Sequence, residues 1–262
     1  MDPWVNSVAG FGVGMVVGLT GIGGGALMTP ILVLVFGVAP AAAIGTDLWF
    51  AAITKLVGSA VHHKQGRVDT QVLRRLCWGS VPAAIATLLW MHFTHASRVQ
   101  GGLLMKSLGA VLLLTVLAMV FMNRLHAIGQ HLRTKSPIDF KHWQPPLTVA
   151  AGMVLGVLVT LTSVGAGVLG TVMLVYLYPF RMTPPKLVGT DIAHAIPLTL
   201  VAGTGHLLMG NVDLVLLGWL LVGSIPGILI GSSLAGKLPD TALRWAIAAV
   251  LGLTAVKLLT VA

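Results

Sequence analysis

Charged residues are scarce in this chain. They make up 9% of its 262 residues, and glutamate is absent, so all seven acidic residues are aspartates. In a soluble domain about a quarter of all residues are normally charged, so this chain has too few charged residues to cover a surface that faces water. The net charge of +9 reflects few acids rather than many bases, and the scattered basic residues do not indicate a nucleic-acid partner.

Cysteine and known catalytic motifs are also nearly absent. The single Cys77 excludes an internal disulfide and a cysteine metal cluster. The histidines show no HExxH spacing, and the chain has no P-loop, dinucleotide fingerprint or G-x-S-x-G elbow. The sequence therefore predicts no enzyme, no cofactor, no metal site and no ATP-driven machinery. No removed signal peptide is expected, because the N-terminus lacks a basic region and a cleavage site.

Long apolar runs occupy most of the chain instead. Hydrophobic residues make up 56%, and the mean hydropathy is +0.94. Runs of about 20 apolar residues are typical of transmembrane helices, and four such segments fit on either side of a polar stretch. The sequence predicts an all-α integral membrane protein with about eight transmembrane segments. We divide it into a first repeat (1–122), a cytoplasmic connecting loop (123–144) and a second repeat (145–262).

The two predicted repeats share unusual residues at a constant offset of 144 positions, as between 47 and 191. Gly45-Thr46-Asp47 aligns with Gly189-Thr190-Asp191, and the stretch TGIGGGALMTP (20–30) aligns with the region of SVGAGVLG (163–170). Matches at glycine, threonine and aspartate indicate an internal duplication. If every segment crosses the membrane, the repeats are parallel; if the glycine segment dips in and returns, they are inverted. The sequence leaves both arrangements open.

Glycines inside the first segment of each repeat predict broken helices, because glycine is a poor helix former. A break in a bilayer exposes the positive end of the following half-helix, which favours a small anion. Small residues also permit tight helix packing, which is the alternative explanation. We expect a substrate site between the two breaks, near the mid-plane. Its predicted residues are Gly23, Gly24, Gly25, Thr46, Lys55, Ser163, Gly165, Gly167 and Thr190.

The second segment of each repeat adds ionisable candidates. Asp47 and Lys55 are about 12 Å apart along a helix, too far for direct contact, whereas Asp191 and His194 are one turn apart and can touch. Ionisable groups inside a bilayer are commonly functional, although an aspartate near a helix start can be only a cap. We expect Lys55 to recognise the charge of the substrate, and Asp47, Asp191 and His194 to carry proton coupling.

Basic residues predict the orientation in the membrane. Arg74 and Arg75 follow the second segment, and Arg133, Lys135 and Lys141 lie in the connecting stretch, two segments later. Cytoplasmic loops are enriched in Lys and Arg. We therefore assign both stretches to the cytoplasm, and expect both chain termini on the same side.

These motifs together resemble the TauE/SafE family of membrane transport proteins. The resemblance covers essentially the whole chain and is carried by G-I-G-G-G (21–25), the Gly-Thr-Asp second segment, the turn Gly66-x-Val68-Asp69 and their echo in the second half. It implies a secondary transporter for a small sulfur-containing anion, such as sulfite or sulfoacetate, in the bacterial inner membrane. An ion or proton channel, or a uniporter without coupling, is the alternative. The expected partners are the anion and the lipid bilayer, without nucleic acid, and a homodimer stays open.

Overall fold

The fold is helical throughout the part of the chain that the computed structural model describes, residues 3–20, 25–62, 68–94, 101–135, 137–234 and 240–261. These ranges contain ten α-helices and no strand, which confirms the all-α prediction. The helices are α1 Pro3–Thr20, α2 Gly25–Leu34, α3 Pro40–His62, α4 Thr70–Phe93, α5 Gly101–Lys135, α6 Pro137–Thr162, α7 Val168–Leu177, α8 Pro184–Leu208, α9 Leu214–Leu234 and α10 Asp240–Val261. Among the described residues, five helices (α4, α5, α6, α8 and α9) are long and apolar enough to cross a membrane.

The segment expected as a connecting loop is itself helical. α5 continues through the polar stretch to Lys135, and α6 begins at Pro137. With 35 residues, α5 is about 50 Å long. It therefore extends well beyond a hydrocarbon core of about 30 Å, and it carries Arg133 and Lys135 in its last turn.

The second glycine segment is the tip of a helical hairpin. α6 and α7 flank five residues, 163–167, that are not helical. The open ends of the two helices are joined, because Gln144 Nε2 donates to the carbonyl of Leu177 at 2.6 Å. The hydroxyls of Thr148 and Tyr178 are also hydrogen-bonded, at 2.7 Å. The chain thus enters along α6 and returns along α7 to the same end of the bundle.

The first glycine segment has the same arrangement of ends. Ser7, near the start of α1, donates to the carbonyl of Trp219, near the start of α9, at 2.9 Å. Thr46, early in α3, accepts from the amide of Asp213, just before α9, at 3.0 Å. The start of α1 and the connection from α2 to α3 therefore lie at one end, and residues 21–24 between α1 and α2 are outside the described residues.

The bundle has two distinct ends. At one end Arg181, after α7, forms an ion pair with Asp69, before α4; we call it the basic end. It also carries Arg74, Arg75, Arg133, Lys135, Lys141 and Lys186. At the other, the terminal end, α1 begins, and α10 finishes with Leu259 packed on Gly109 of α5. We expected the termini beside the basic stretches, whereas α1 begins and α10 finishes at the opposite end of the described bundle.

Small residues bring two pairs of parallel helices into close contact. α1 packs on α9, and α4 packs on α6. A Cβ atom added at a glycine of α1 or α6 would overlap the backbone of the partner: Gly10 with Leu220, Gly14 with Ser224, Gly152 with Leu76 and Gly156 with Ser80. This is the small-xxx-small pattern of membrane helix pairs. The partner positions differ by 144, whereas the glycine pairs differ by 142, so the ungapped alignment slips by two residues within α1 and α6.

Candidate functional site

Four ionisable side chains are buried where α3 and α8 pack together. Asp47 is 0% exposed, Lys55 5%, Asp191 2% and His194 1%. Removing such groups from water is costly unless other groups compensate for the lost hydration. Their partners therefore show how the site is organised.

Asp47 is held by α2, the helix that follows the first glycine segment. One carboxylate oxygen accepts from the hydroxyl of Thr29 at 2.5 Å and from the Thr29 amide at 3.2 Å. The hydroxyl of Ser163, at the tip of the second hairpin, lies beside the same carboxylate without hydrogen-bond geometry. The other oxygen of Asp47 has no partner among the described residues.

Lys55 reaches the tip of the second hairpin. Its ammonium donates to the carbonyl of Ala166 at 2.8 Å, a carbonyl that the helix break leaves outside α6 and α7. Its charge interacts with both Asp191 and Asp47. Neither aspartate is within the 4.0 Å of an ion pair in the described part of the chain. Lys55 is thus a buried cation placed near two carboxylates and against a broken helix.

Asp191 and His194 have separate surroundings. One carboxylate oxygen of Asp191 has no hydrogen-bond partner in the described residues, and it lies where a Cβ of Gly170 would be. His194 Nε2 is 2.8 Å from the hydroxyl of Ser80 on α4. The described residues show no hydrogen bond between Asp191 and His194, so the one-turn spacing does not produce the contact that we expected.

The tip of the second hairpin has unusual backbone geometry. Ser163 has a φ of 60°, a left-handed conformation uncommon outside glycine, and Gly165 has a φ of 121°. The first turn of a helix has amides without partners in that helix. The amides of Val168 and Leu169, which begin α7, have no backbone acceptor in the segment 137–234. Among the described residues, the tip therefore presents two amides without a backbone acceptor and a buried Ser163 hydroxyl without a partner.

The other predicted site residues lie elsewhere or cannot be placed. Thr46 and Thr190 are buried, and their hydroxyls accept from the backbone amides of Asp213 and Asp69, respectively. They hold connections between helices rather than face the Lys55 cluster. Gly23 and Gly24 are outside the described residues, and Gly25 begins α2. Gly165 and Gly167 lie in the tip itself.

The sequence reasoning missed several partners. Ser80, Gly170 and the carbonyl of Ala166 contact the ionisable residues. Ala166 and Gly170 lie in the stretch 163–170 that predicts a helix break, but neither was predicted as a partner of an ionisable residue, and Ser80 lies outside the predicted site. Arg181 was not singled out from the sequence. The described residues contain no cluster of three or more His, Cys, Asp or Glu that could hold a metal ion.

An ion pair lies at the basic end, outside the buried cluster. Arg181 donates to both carboxylate oxygens of Asp69, at 2.6 and 2.8 Å, and to the side chain of Gln71 at 2.9 Å. Burial alone would raise the pKa of Asp69. The hydrogen bonds from Arg181 and the Val72 amide, with the charges of Arg181 and Lys186, outweigh it and hold the pKa below its ordinary value.

Comparison with known proteins identifies the family. The sequence profile described as "Sulfite exporter TauE/SafE" matches residues 7–258. The chain belongs to the TauE/SafE family. Probable membrane transporter protein YjnA of Bacillus subtilis is 37% identical over 211 residues, which cover 79% of this chain and 80% of that protein. Probable membrane transporter protein YdhB of the same organism is 26% identical over 208 residues, covering 79% and 80%. No solved structure gives a significant match.

Membership in the TauE/SafE family makes this chain a membrane transporter of several helices. The structure brings Asp47, Lys55, Ser163 and Asp191 together around the second hairpin tip. A buried ammonium, a free hydroxyl and free amides are groups that can bind an anion. The two neighbouring carboxylates can exchange protons.

Proposed function

We propose that the protein is a secondary transporter that moves a small sulfur-containing anion, such as sulfite, sulfoacetate or a related organosulfonate, across the bacterial inner membrane. The family's printed description, sulfite exporter, supports the class of substrate. The observation that carries the proposal is Lys55: a buried cation whose only hydrogen-bond acceptor in the described residues is the Ala166 carbonyl at a helix break. That contact uses one of the three N–H donors of Lys55, and we assign the other two to the anion.

We place the anion between Lys55 and the second hairpin tip, with Ser163, Gly165 and Gly167 on one side. Gly23, Gly24 and Gly25 of the first hairpin complete the site in this proposal. Thr46 and Thr190 act through the backbone, because their hydroxyls fix the helices that carry the cluster. Glycines at the tip let the backbone approach a small ligand closely.

The charges of the cluster support coupling to protons. When all three groups are ionised, Asp47, Lys55 and Asp191 sum to one negative charge. An anion that binds there adds a second negative charge in a medium of low dielectric, which is costly unless a proton arrives with it. Proton uptake by an aspartate therefore favours anion binding, and binding favours proton uptake, since the linkage is reciprocal. We assign this role to Asp191 and Asp47, with His194 adjacent on α8.

We further propose that residues 1–122 and 145–262 are inverted repeats. Each would consist of a re-entrant hairpin followed by three crossing helices, so that the eight apolar segments contain six crossings. Matching contacts support this arrangement: Thr46 accepts from the Asp213 amide, and Thr190 accepts from the Asp69 amide. The two threonines are 144 positions apart, and so are the two aspartates. The enrichment of Lys and Arg at the basic end supports a cytoplasmic location for that end, including the helical segment 123–144, and the opposite side for both termini.

Transport in proteoliposomes tests the function. We expect counterflow of radiolabelled sulfite, with competition by sulfoacetate and weaker competition by anions of other shape. Asp191→Asn should keep substrate-induced thermal stabilisation but lose the pH dependence of transport. If transport never responds to a proton gradient, the protein is a uniporter or a channel, and the aspartates only balance Lys55. Absence of anion flux from well-folded protein would refute the proposed substrate class.

Cysteine labelling tests the topology. In a Cys77→Ser background, single cysteines replace Trp4 at the terminal end and Lys135 at the basic end, both of them exposed. An impermeant maleimide added to intact cells should label position 4, whereas position 135 should require a permeant reagent. The reverse result would invert the proposed orientation, and labelling of both positions would contradict the assignment of opposite ends.

A further inference from the structure

Three cationic side chains line one cavity at the basic end. The cavity has a volume of about 210 Å³ and lies between the last turn of α5, the start of α6 and the chain just after α7. Arg133, Lys141 and Arg181 contribute the charges, and none of the described residues that line the cavity is acidic. Asp69, which pairs with Arg181, is not among them. This site is separate from the buried Lys55 cluster and independent of the proposed substrate.

The walls of the cavity are fixed by hydrogen bonds. Gln144, on the α6 side, donates to the Leu177 carbonyl at 2.6 Å. The hydroxyl of Tyr178, on the α7 side, is bonded to Thr148 at 2.7 Å and accepts from Arg75 at 3.2 Å. The guanidinium of Arg181 stands over the ring of Tyr178, 5.8 Å from its centroid. The cavity is therefore a built pocket and not a chance gap between mobile side chains.

The surroundings place the cavity at a membrane interface. Trp143, next to Gln144, is 59% exposed, and Phe180, which lines the cavity, is 65% exposed. Aromatic side chains are enriched where the hydrocarbon core meets the headgroups. Basic pockets between membrane helices at this depth bind anionic lipid headgroups, because Arg and Lys donate charge-assisted hydrogen bonds to phosphate oxygens.

We propose that this cavity binds the phosphate group of an anionic phospholipid through Arg133, Lys141 and Arg181. The bound phosphate would join α5 to both helices of the second hairpin. A free phosphate has the same oxygen chemistry, so lipid and inorganic phosphate must be distinguished by experiment. The aromatic side chains beside the cavity favour the lipid, because a free ion gains nothing from them.

Thermal unfolding of the delipidated full-length protein in detergent tests the proposal. Short-chain phosphatidylglycerol should raise the unfolding temperature, whereas short-chain phosphatidylcholine should not. In the double variant Arg133→Gln/Lys141→Gln, the phosphatidylglycerol concentration at half-maximal shift should rise at least about tenfold, since each charge-assisted bond is worth roughly that factor. Arg74→Gln is the matched control, because Arg74 lies exposed at the same end without lining the cavity, and it should respond like the wild type.

The remaining outcomes are also decisive. If inorganic phosphate raises the unfolding temperature equally, and the double variant weakens this effect equally, the cavity binds phosphate but its ligand is the free ion and not a lipid. The proposal is overturned if phosphatidylcholine is equally effective. It is also overturned if Arg74→Gln raises the phosphatidylglycerol concentration at half-maximal shift as much as the double variant does. Should the double variant not fold, Lys141→Gln alone carries the test, with Lys141→Arg expected to bind like the wild type.

Discussion

The two halves of the chain share their connections between helices. Thr46 accepts from the amide of Asp213, and Thr190 accepts from the amide of Asp69, at 3.0 and 2.9 Å. Both aspartates then accept from an amide three residues later, in the first turn of the following helix. Each threonine contact runs from one half to the other, whereas each aspartate contact stays within its half. The recurring threonines and aspartates at an offset of 144 thus form matching connections between the halves.

The halves differ in the charges that they add to this framework. Lys55 in α3 aligns with Thr199 in α8, whose hydroxyl bonds, within the described residues, to carbonyls of its own helix. Arg181, which pairs with Asp69, aligns with Gly37, which cannot pair with Asp213. The comparison indicates that the first half supplies the buried cation and the second half supplies the arginine of the end-face ion pair. A symmetric framework therefore carries an asymmetric distribution of charge.

The largest effect is expected where the halves differ at the buried cation. Lys55→Met should lower transport at least about 100-fold at every pH, because removing one member of a buried charge cluster commonly costs about 3–5 kcal/mol. Thr199→Val, at the aligned position, is the control and should keep most activity. Initial rates of sulfite uptake, scaled to folded protein, measure both. Equal losses in the two variants would show that the halves contribute alike.

A second difference concerns the space beside the aspartates. Gly170→Ala should displace the Asp191 carboxylate, because the added Cβ would overlap its oxygen. We expect proton-driven uptake to fall about tenfold, within the range of typical coupling energies, with little change in the amount of folded protein. Ala26 occupies the aligned position in α2, and Ala26→Gly should cost only about 1 kcal/mol of helix stability. Unaltered uptake by Gly170→Ala would separate Asp191 from coupling.

Substitution of either shared threonine should destabilise the protein to a similar degree. Thr46→Val and Thr190→Val each leave a backbone amide without its acceptor, a loss of about 1–3 kcal/mol when the donor is buried. Both variants should lower the unfolding temperature by similar amounts while the affinity for the anion changes little. A selective loss of anion binding in either one would restore that threonine to the site as a direct ligand.

The smallest effect is expected at the end-face ion pair. Arg181→Gln should cost about 1 kcal/mol or less, since the arginine is partly exposed to solvent. Asp213→Asn should be nearly neutral, because Asp213 has no ion-pair partner among the described residues. The lowered pKa of Asp69 means that the pair stabilises the protein above pH about 4 and that this contribution is lost as the pH falls through the lowered value. Unfolding curves between pH 3 and pH 7 should lose that acid-side dependence in Arg181→Gln.

Much of the fold could be predicted from local patterns. Apolar length identified membrane helices, and glycines marked the break at residues 163–167, because both features depend on neighbouring residues. The return of α7 beside α6 could not be predicted, since an apolar segment that crosses and one that turns back have the same composition. The end of the bundle at which α1 begins and α10 finishes could not be predicted for the same reason, because it depends on counting crossings.

The site was predictable only in part, because its contacts join distant positions. Asp47, Lys55 and Asp191 stand out as ionisable residues in apolar segments, and the structure places them near one another. His194 was paired with Asp191 by spacing alone, whereas Ser80, 114 residues away, is its partner. The hydroxyls of Thr46 and Thr190 gave the same signal as ligands would, because a threonine after glycine near a helix start can serve either purpose.

The close packing of α1 on α9 has a consequence for how the chain is made. The glycine surface of α1, at Gly10 and Gly14, meets residues that are synthesised about 200 positions later. During translation α1 must stay in the bilayer without its partner until nearly the whole chain has been inserted. Contacts of such long sequence separation form late. Truncation before α9 should therefore leave an incomplete, protease-sensitive product, however many of the earlier helices have already been inserted.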